Sequence, residues 1–184
     1  MDLYDSDWAA LRNAIMTIAV QHGPVRLSSG QWADYYIDLR RITLDGALAP
    51  YVGRVMLEMT SGWAFEAVGG LTLGADPVAM AMLYANAATW PWVPLNVFVV
   101  RKESKPHGLH RRIEGPDVAG RRVVVVEDTS TTGNSVLTAV AALQVAGAEV
   151  AGVAALVDRG AGLAVRAAGL EYRAAYQLTD LGLE

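Results

Sequence analysis

Four consecutive valines, Val123 to Val126, run without a break into two acids, four hydroxyl residues and a glycine: VVVVEDTSTTGNS. A strand with one wet face alternates apolar and polar residues. An uninterrupted run of β-branched residues is what a strand covered on both faces requires, so this chain must place helices on both sides of a sheet. The rest of the sequence supplies them. Strands are predicted near Ala67–Gly70, at Val97–Arg101, Val123–Glu127 and Val150–Val157, interleaved with helices near Pro77–Ala87, at Asn134–Val145 and near Leu163–Ala168. Such alternation predicts an α/β fold, a parallel sheet flanked by helices. Ahead of it, Trp8, Leu11, Ile15, Ile18 and Ala19 fall at helical spacing in a segment from Asp7 that Gly23-Pro24 would stop. Val25–Leu27 and Tyr35–Leu39 read as a hairpin around Ser28-Ser29-Gly30, and residues 46 to 60 return to helical spacing. With 184 residues and no linker or repeat, a single α/β domain with an N-terminal helix-hairpin addition is expected.

In a doubly wound sheet, ligands bind beyond the carboxyl ends of the strands, which directs attention to the residues after Val126. Gly133 permits a tight turn there. The free N–H groups and positive dipole end of the following helix favour a phosphate, and the hydroxyls of Thr131, Thr132 and Ser135 can complete the cradle. Ionised carboxylates accept hydrogen bonds only, so Glu127 and Asp128 at the strand end suit a vicinal diol such as the 2- and 3-hydroxyls of a ribose. Together these residues describe a ribose 5-phosphate site. Neither GxxxxGK[ST] nor GxGxxG occurs, so nucleotide hydrolysis and hydride transfer lack their usual signatures.

Composition removes other classes. There is no cysteine, hence no disulfide framework, thiolate nucleophile or iron–sulfur cluster. The net charge of −4 argues against general affinity for nucleic acid. No apolar run is long enough to span a membrane, and the acidic start of the chain does not read as an export signal, so a cytoplasmic protein is expected.

Against this acidic background, RKESKPHGLHRR (101–112) stands apart. It holds the only two lysines, Lys102 and Lys105, and two of the three histidines, His107 and His110. Pro106 and Gly108 disfavour a helix, and a long basic loop beside an α/β site is a candidate lid over a polyphosphate. The hairpin region SSGQWADYYIDLRR (28–41) offers backbone amides, aromatics and charges for a flat polar ring, although adjacent tyrosines are also ordinary in strands. Asp158-Arg159 directly follows a strand, which puts Arg159 at the same sheet edge.

Taken together, these segments resemble a known family. VVVVEDTSTTGNS is similar to the phosphoribosyl diphosphate (PRPP) loop of type I phosphoribosyltransferases, and RKESKPHG to the mobile loop of orotate phosphoribosyltransferases; SSGQWADYYIDLRR, GGLTLGADPVA and Asp158-Arg159 follow in the family's order. The resemblance implies a type I phosphoribosyltransferase-like fold in which residues 1–45 form a hood over the base. It implies transfer of phosphoribose from PRPP to orotate, giving orotidine 5′-monophosphate and pyrophosphate in UMP biosynthesis. Magnesium would be held mainly through PRPP and water, in a homodimer whose mobile loop reaches the neighbouring site. Residue by residue, Arg101, Lys102, Lys105 and His107 would contact the diphosphate, with Lys105, His107 and Asp128 as catalytic residues. Glu127 and Asp128 would hold the ribose hydroxyls. Thr129, Ser130, Thr131, Thr132, Gly133, Asn134 and Ser135 would wrap the 5-phosphate, and Thr131, Arg159, Tyr35 and Tyr36 would meet orotate. Three positions depart from the family: Ser28 and Leu73 stand where lysines are frequent, and Ala33 replaces a frequent serine. A phosphoribosyltransferase for a purine or uracil, or a PRPP-binding regulator without catalysis, are the alternatives. Arg159 and the lysine-rich loop favour orotate, while the acidic net charge and the length leave no basic face or DNA-binding helix-turn-helix for the regulator.

Overall fold

The computed structural model describes residues 3–26, 30, 32–103 and 112–183. Its core is a six-stranded sheet in the order β5-β4-β3-β6-β7-β8. The strands are β3 (Ala67–Leu71), β4 (Asn96–Val100), β5 (Ile113–Glu114), β6 (Arg122–Ser130), β7 (Glu149–Asp158) and β8 (Tyr172–Gln177). All pairs are parallel except β4 with β5. The valine run lies mid-sheet, and all four valines are fully buried.

Their alternating direction splits the core in two. Val124 and Val126 pack with Val52, Val55 and Met56 of α3 (Ala49–Met59) and with Val78 and Met82 of α4 (Ala75–Thr89). Val123 and Val125 pack with Val136, Val140 and Leu143 of α5 (Asn134–Val145) and with Val165 of α6 (Gly162–Ala167). Burying one such side chain stabilises the fold by about 1.5–3 kcal/mol, which explains why a central strand tolerates no polar residue along this stretch.

The N-terminal region departs from expectation in its boundaries. The first helix, α1 (Leu3–Ala14), passes into a π-helical turn at Ile15–Ala19, and the chain is already extended at Val20. Strand β1 (Val20–Arg26) pairs antiparallel with β2 (Trp32–Ile37), Val20 opposite Ile37. Gly23-Pro24 therefore interrupts a strand and does not stop a helix. The pair falls where the register shifts between His22 and Val25, and an irregularity tolerates a proline that cannot donate to the ladder. A short helix, α2 (Arg40–Thr43), connects the hairpin to α3.

Two further differences lie on the sheet. Strand β8 has an alanine-rich sequence, YRAAYQ, with little β-propensity of its own; pairing with β7 and burial of Tyr172 and Tyr176 fix it. Strand β6 continues three residues past Glu127, because Thr129 pairs with Val157 and Ser130 with Asp158. Among the described residues no helix is long and apolar enough to cross a membrane.

Candidate functional site

The carboxyl ends of β3, β4, β6 and β7 share one edge of the sheet, and a cleft of about 320 Å³ opens there. Its floor is the acid pair with Thr129. One wall is the loop after β3, from Leu71 to Gly74, and another is the end of the hairpin, from Tyr36 to Arg40. Lys102 comes from the end of β4, and Ser135 from the first turn of α5. The cleft thus brings together Tyr36, Lys102, Glu127, Asp128, Thr129 and Ser135 of the residues expected from sequence. A larger hollow, about 670 Å³, lies between the C-terminal half of α5 and residues 112–118, and among the described residues Arg112 and Asp117 are its charged lining groups.

The acids are held by the strand that carries them. Glu127 is 6% exposed, and its Oε1 accepts from the Asp128 backbone N–H at 3.3 Å; the Thr129 backbone N–H donates to Asp128 Oδ1 at 2.6 Å. Burial pushes the Glu127 carboxyl up to about 8, and the charges of Asp128 and Asp76 add to the effect. Burial also raises Asp128, against the Thr129 N–H and the charge of Arg40, which favour its ionised form. Buried side by side, the two carboxyls resist ionising together, and burial acts on both in the same direction.

The loop over the acids is fitted to them. Thr72 Oγ1 donates to Asp76 Oδ2 at 2.7 Å, tying the loop to the first turn of α4, where an acid also complements the helix dipole. Gly74 sits directly against the pair. A Cβ there would stand 2.6 Å from both Glu127 Oε1 and Asp128 Oδ1, so only glycine lets the backbone come this close.

After β6 the chain turns through Gly133, with φ of +80°, into α5. Thr131, Thr132, Asn134 and Ser135 are exposed around this turn, Ser130 is buried, and Thr132 Oγ1 accepts from the Asn134 N–H at 3.4 Å. Arg159 joins the base of the same loop, its backbone N–H donating to the Ser130 carbonyl at 2.8 Å. Asp158, buried, accepts from the N–H groups of Gly160 and Ala161 at 2.9 and 2.8 Å and so fixes the backbone on either side of Arg159. Arg159 Nε is buried without a hydrogen-bond partner among the described residues.

Other expected residues do not line the cleft. Tyr35 packs against the core beneath the hairpin. Arg101 is tied to the β4–β5 pair, its N–H donating to the Arg112 carbonyl at 2.8 Å and its guanidinium 3.8 Å from Glu114. Lys105, His107 and Ser28 lie outside the described residues. Arg40, Asp38 and the Thr72-Leu73-Gly74 loop line the cleft but are not among the site residues expected from sequence. The glycines of GGLTLG after a strand were the available signal for the loop; for Arg40 there was only its place in a run of charges.

Comparison with known proteins bears on the family. The phosphoribosyl transferase domain family matches residues 70–170. The orotate phosphoribosyltransferase of Streptomyces avermitilis is 60% identical over 178 residues, covering 95% of this chain and 97% of its own. That of Streptomyces coelicolor is 61% identical over 169 residues, 90% of this chain and 92% of its own. The crystal structure of Mycobacterium tuberculosis orotate phosphoribosyltransferase in complex with PRPP superposes with a TM-score of 0.82 at 49% identity, over 96% of this chain and 99% of that one. On the strength of a domain match over more than half its residues and of these relatives along nearly its whole length, the chain belongs to the orotate phosphoribosyltransferase family.

Proposed function

We propose that the cleft transfers the phosphoribosyl group of PRPP to the ring nitrogen of orotate, giving orotidine 5′-monophosphate and pyrophosphate in UMP biosynthesis. The observation that carries this reading is the acid pair near the end of β6, Glu127 buried and Asp128 half-buried, closed over by Gly74 and followed at once by the hydroxyl-lined turn into α5. On this reading Glu127 and Asp128 hold the ribose hydroxyls, and residues Thr129 to Ser135 hold the 5-phosphate at the start of α5. Arg159, with its unpartnered Nε, and Thr131 meet the carboxylate of orotate, and Tyr35 and Tyr36 stand on the base side.

As the bond from C1 to the diphosphate breaks, its electron pair leaves with pyrophosphate and the ribose becomes cationic. The ring nitrogen of orotate gives up its proton, to water or to the departing pyrophosphate, as its electron pair forms the new bond, so no protein nucleophile is needed. The chain's part is to position both reactants and to meet the charge growing on the leaving group with Arg101, Lys102, Lys105 and His107. The carboxylates lining the cleft, Asp38, Glu127 and Asp128, already bond Arg40 or backbone N–H groups, so on this reading magnesium is held mainly by the oxygens of PRPP and by water. Bound in this way, magnesium would neutralise part of the diphosphate charge.

The reading includes a cytoplasmic homodimer of single-domain subunits, with residues 1–45 as the hood over the base and the loop carrying Lys105 and His107 serving the neighbouring site. Met80 and Tyr84, one turn apart on α4, and Trp90, Trp92 and Val93 after it are exposed apolar residues suited to a second copy. The test is orotate consumption, followed by ultraviolet absorbance, with PRPP and magnesium present and with each omitted in turn. Signal loss only in the complete mixture supports the reading. Untouched orotate, or turnover of uracil or a purine in its place, refutes it.

A further inference from the structure

One wall of the cleft carries a cation to which the reaction described above gives no task. Arg40 lies where the hairpin passes into α2, lining the cleft together with Tyr36 and Asp38. Its Nε donates to Asp38 Oδ1 at 2.7 Å, and its backbone N–H approaches the same oxygen at 3.3 Å. One terminal nitrogen reaches the Tyr36 hydroxyl at 3.4 Å. The other, Nη1, has no hydrogen-bond partner among the described residues, and 47% of the side chain is accessible.

This is an arginine already set in place. A free arginine loses much rotamer freedom when it binds a ligand; one anchored through Nε by a carboxylate has lost most of it beforehand, and its fork is preorganised. The positive charge also acts on the cleft interior, because Arg40 favours the ionised form of Asp128 and Asp128 favours the charged form of Arg40. Among the described residues Lys102 is the other cation lining the cleft, and it comes from the end of β4, a different element.

We propose that Arg40 is a substrate-binding residue, whose Asp38-anchored guanidinium takes an anionic oxygen group of the reactants: the carboxylate of the base or the diphosphate of PRPP. A guanidinium fork matches both, and it would add nothing for a neutral base. The assignment rests on the phosphoribosyl-transfer reading and deepens it, since neither the acid pair nor the turn into α5 supplies a cation on this wall.

The test is calorimetric titration of the wild type, Arg40→Gln and Arg40→Lys with orotate and, separately, with magnesium pyrophosphate and magnesium PRPP. Arg40→Gln should weaken one class of ligand about ten- to a hundredfold, as expected for losing a charge-assisted contact, and Arg40→Lys should recover part of it. Weakening confined to orotate identifies the base carboxylate. Weakening confined to pyrophosphate and PRPP identifies the diphosphate. Tyr36→Phe, which removes only the longer anchor, should cost less than Arg40→Gln. If Arg40→Gln binds every ligand within twofold of the wild type, the inference falls while the proposed function stands. A wild type that binds neither PRPP nor orotate would sink both. Arg40 is exposed, so an unchanged melting temperature will show that the variants remain folded.

Discussion

Gly74 and Asp128 are in contact across the cleft without any side chain on the glycine: a Cβ on Gly74 would stand 2.6 Å from Asp128 Oδ1. The loop after β3 is thus shaped to the acids at the end of β6, and the two strands that carry them are neighbours in the sheet. Gly74→Ala forces either the loop or the carboxylates to move. We expect it to raise the KM for PRPP at least tenfold with little change in melting temperature, because the displaced groups lie at the surface of the cleft and not in the core. Steady-state kinetics beside a thermal melt checks both halves; a KM equal to that of the wild type would show that the close approach has no part in binding.

Glu127 gives a pH dependence with a definite sign. Its carboxyl is raised from the ordinary 4.5 to about 8, so between those values the folded protein holds a proton that the unfolded chain has released, and stability falls as pH rises. Glu127→Gln stays neutral throughout. Its melting temperature should match the wild type at pH 4 and exceed it at pH 8, with each kcal/mol relieved worth about 2–4 °C in a chain of this length. Melts at the two pH values decide the matter, and a shift of equal size at both would show that ionisation is not the cause.

Lys102 lines the cleft and Lys105 follows three residues later in the only lysine-bearing segment of the chain. If these charges stabilise departing pyrophosphate, Lys105→Ala should lower kcat roughly 10²–10³-fold at saturating PRPP. Lys102→Ala should act in the same direction. Full turnover by Lys105→Ala at saturation would remove that residue from the transition state.

Tyr84 is 66% exposed on α4, one turn beyond exposed Met80. In a homodimer built on this face, Tyr84→Glu buries a charge and should shift the mass measured by light scattering toward the monomer at micromolar concentration. An unchanged mass would place the interface elsewhere, or leave the protein monomeric.

Much of this site was legible in sequence because its signals are local. A buried strand, an acid pair, hydroxyls and a glycine occur in succession in VVVVEDTSTTGNS, and the backbone needs no distant partner to bring them to one place. What sequence did not show depends on pairing. Strand β8 is fixed by β7 and by burial of Tyr172 and Tyr176, not by the propensity of its alanines. The end of α1 was hidden because Ile18 and Ala19 keep helical spacing through the π-helical turn, while the strand beginning at Val20 is set by its partner Ile37. Arg40 fell within the 28–41 segment whose charges suit a polar ring, but it had no individual place in sequence, because only Asp38 and Tyr36 hold it there.

The extension of β6 to Ser130, bonded to β7 as far as Asp158, has a consequence for how this protein opens. Glu127 pairs with Ala155, and Thr129 and Ser130, just beyond Asp128, pair with Val157 and Asp158, so the backbone under the acids is held against β7, whereas the Thr72–Gly74 loop hangs from the end of a neighbouring strand. Amide exchange should therefore divide the cleft by timescale, slowest around Glu127 and faster in the loop above it. The acid pair is thus expected to be the stable base of the cleft and the Thr72–Gly74 loop its yielding wall.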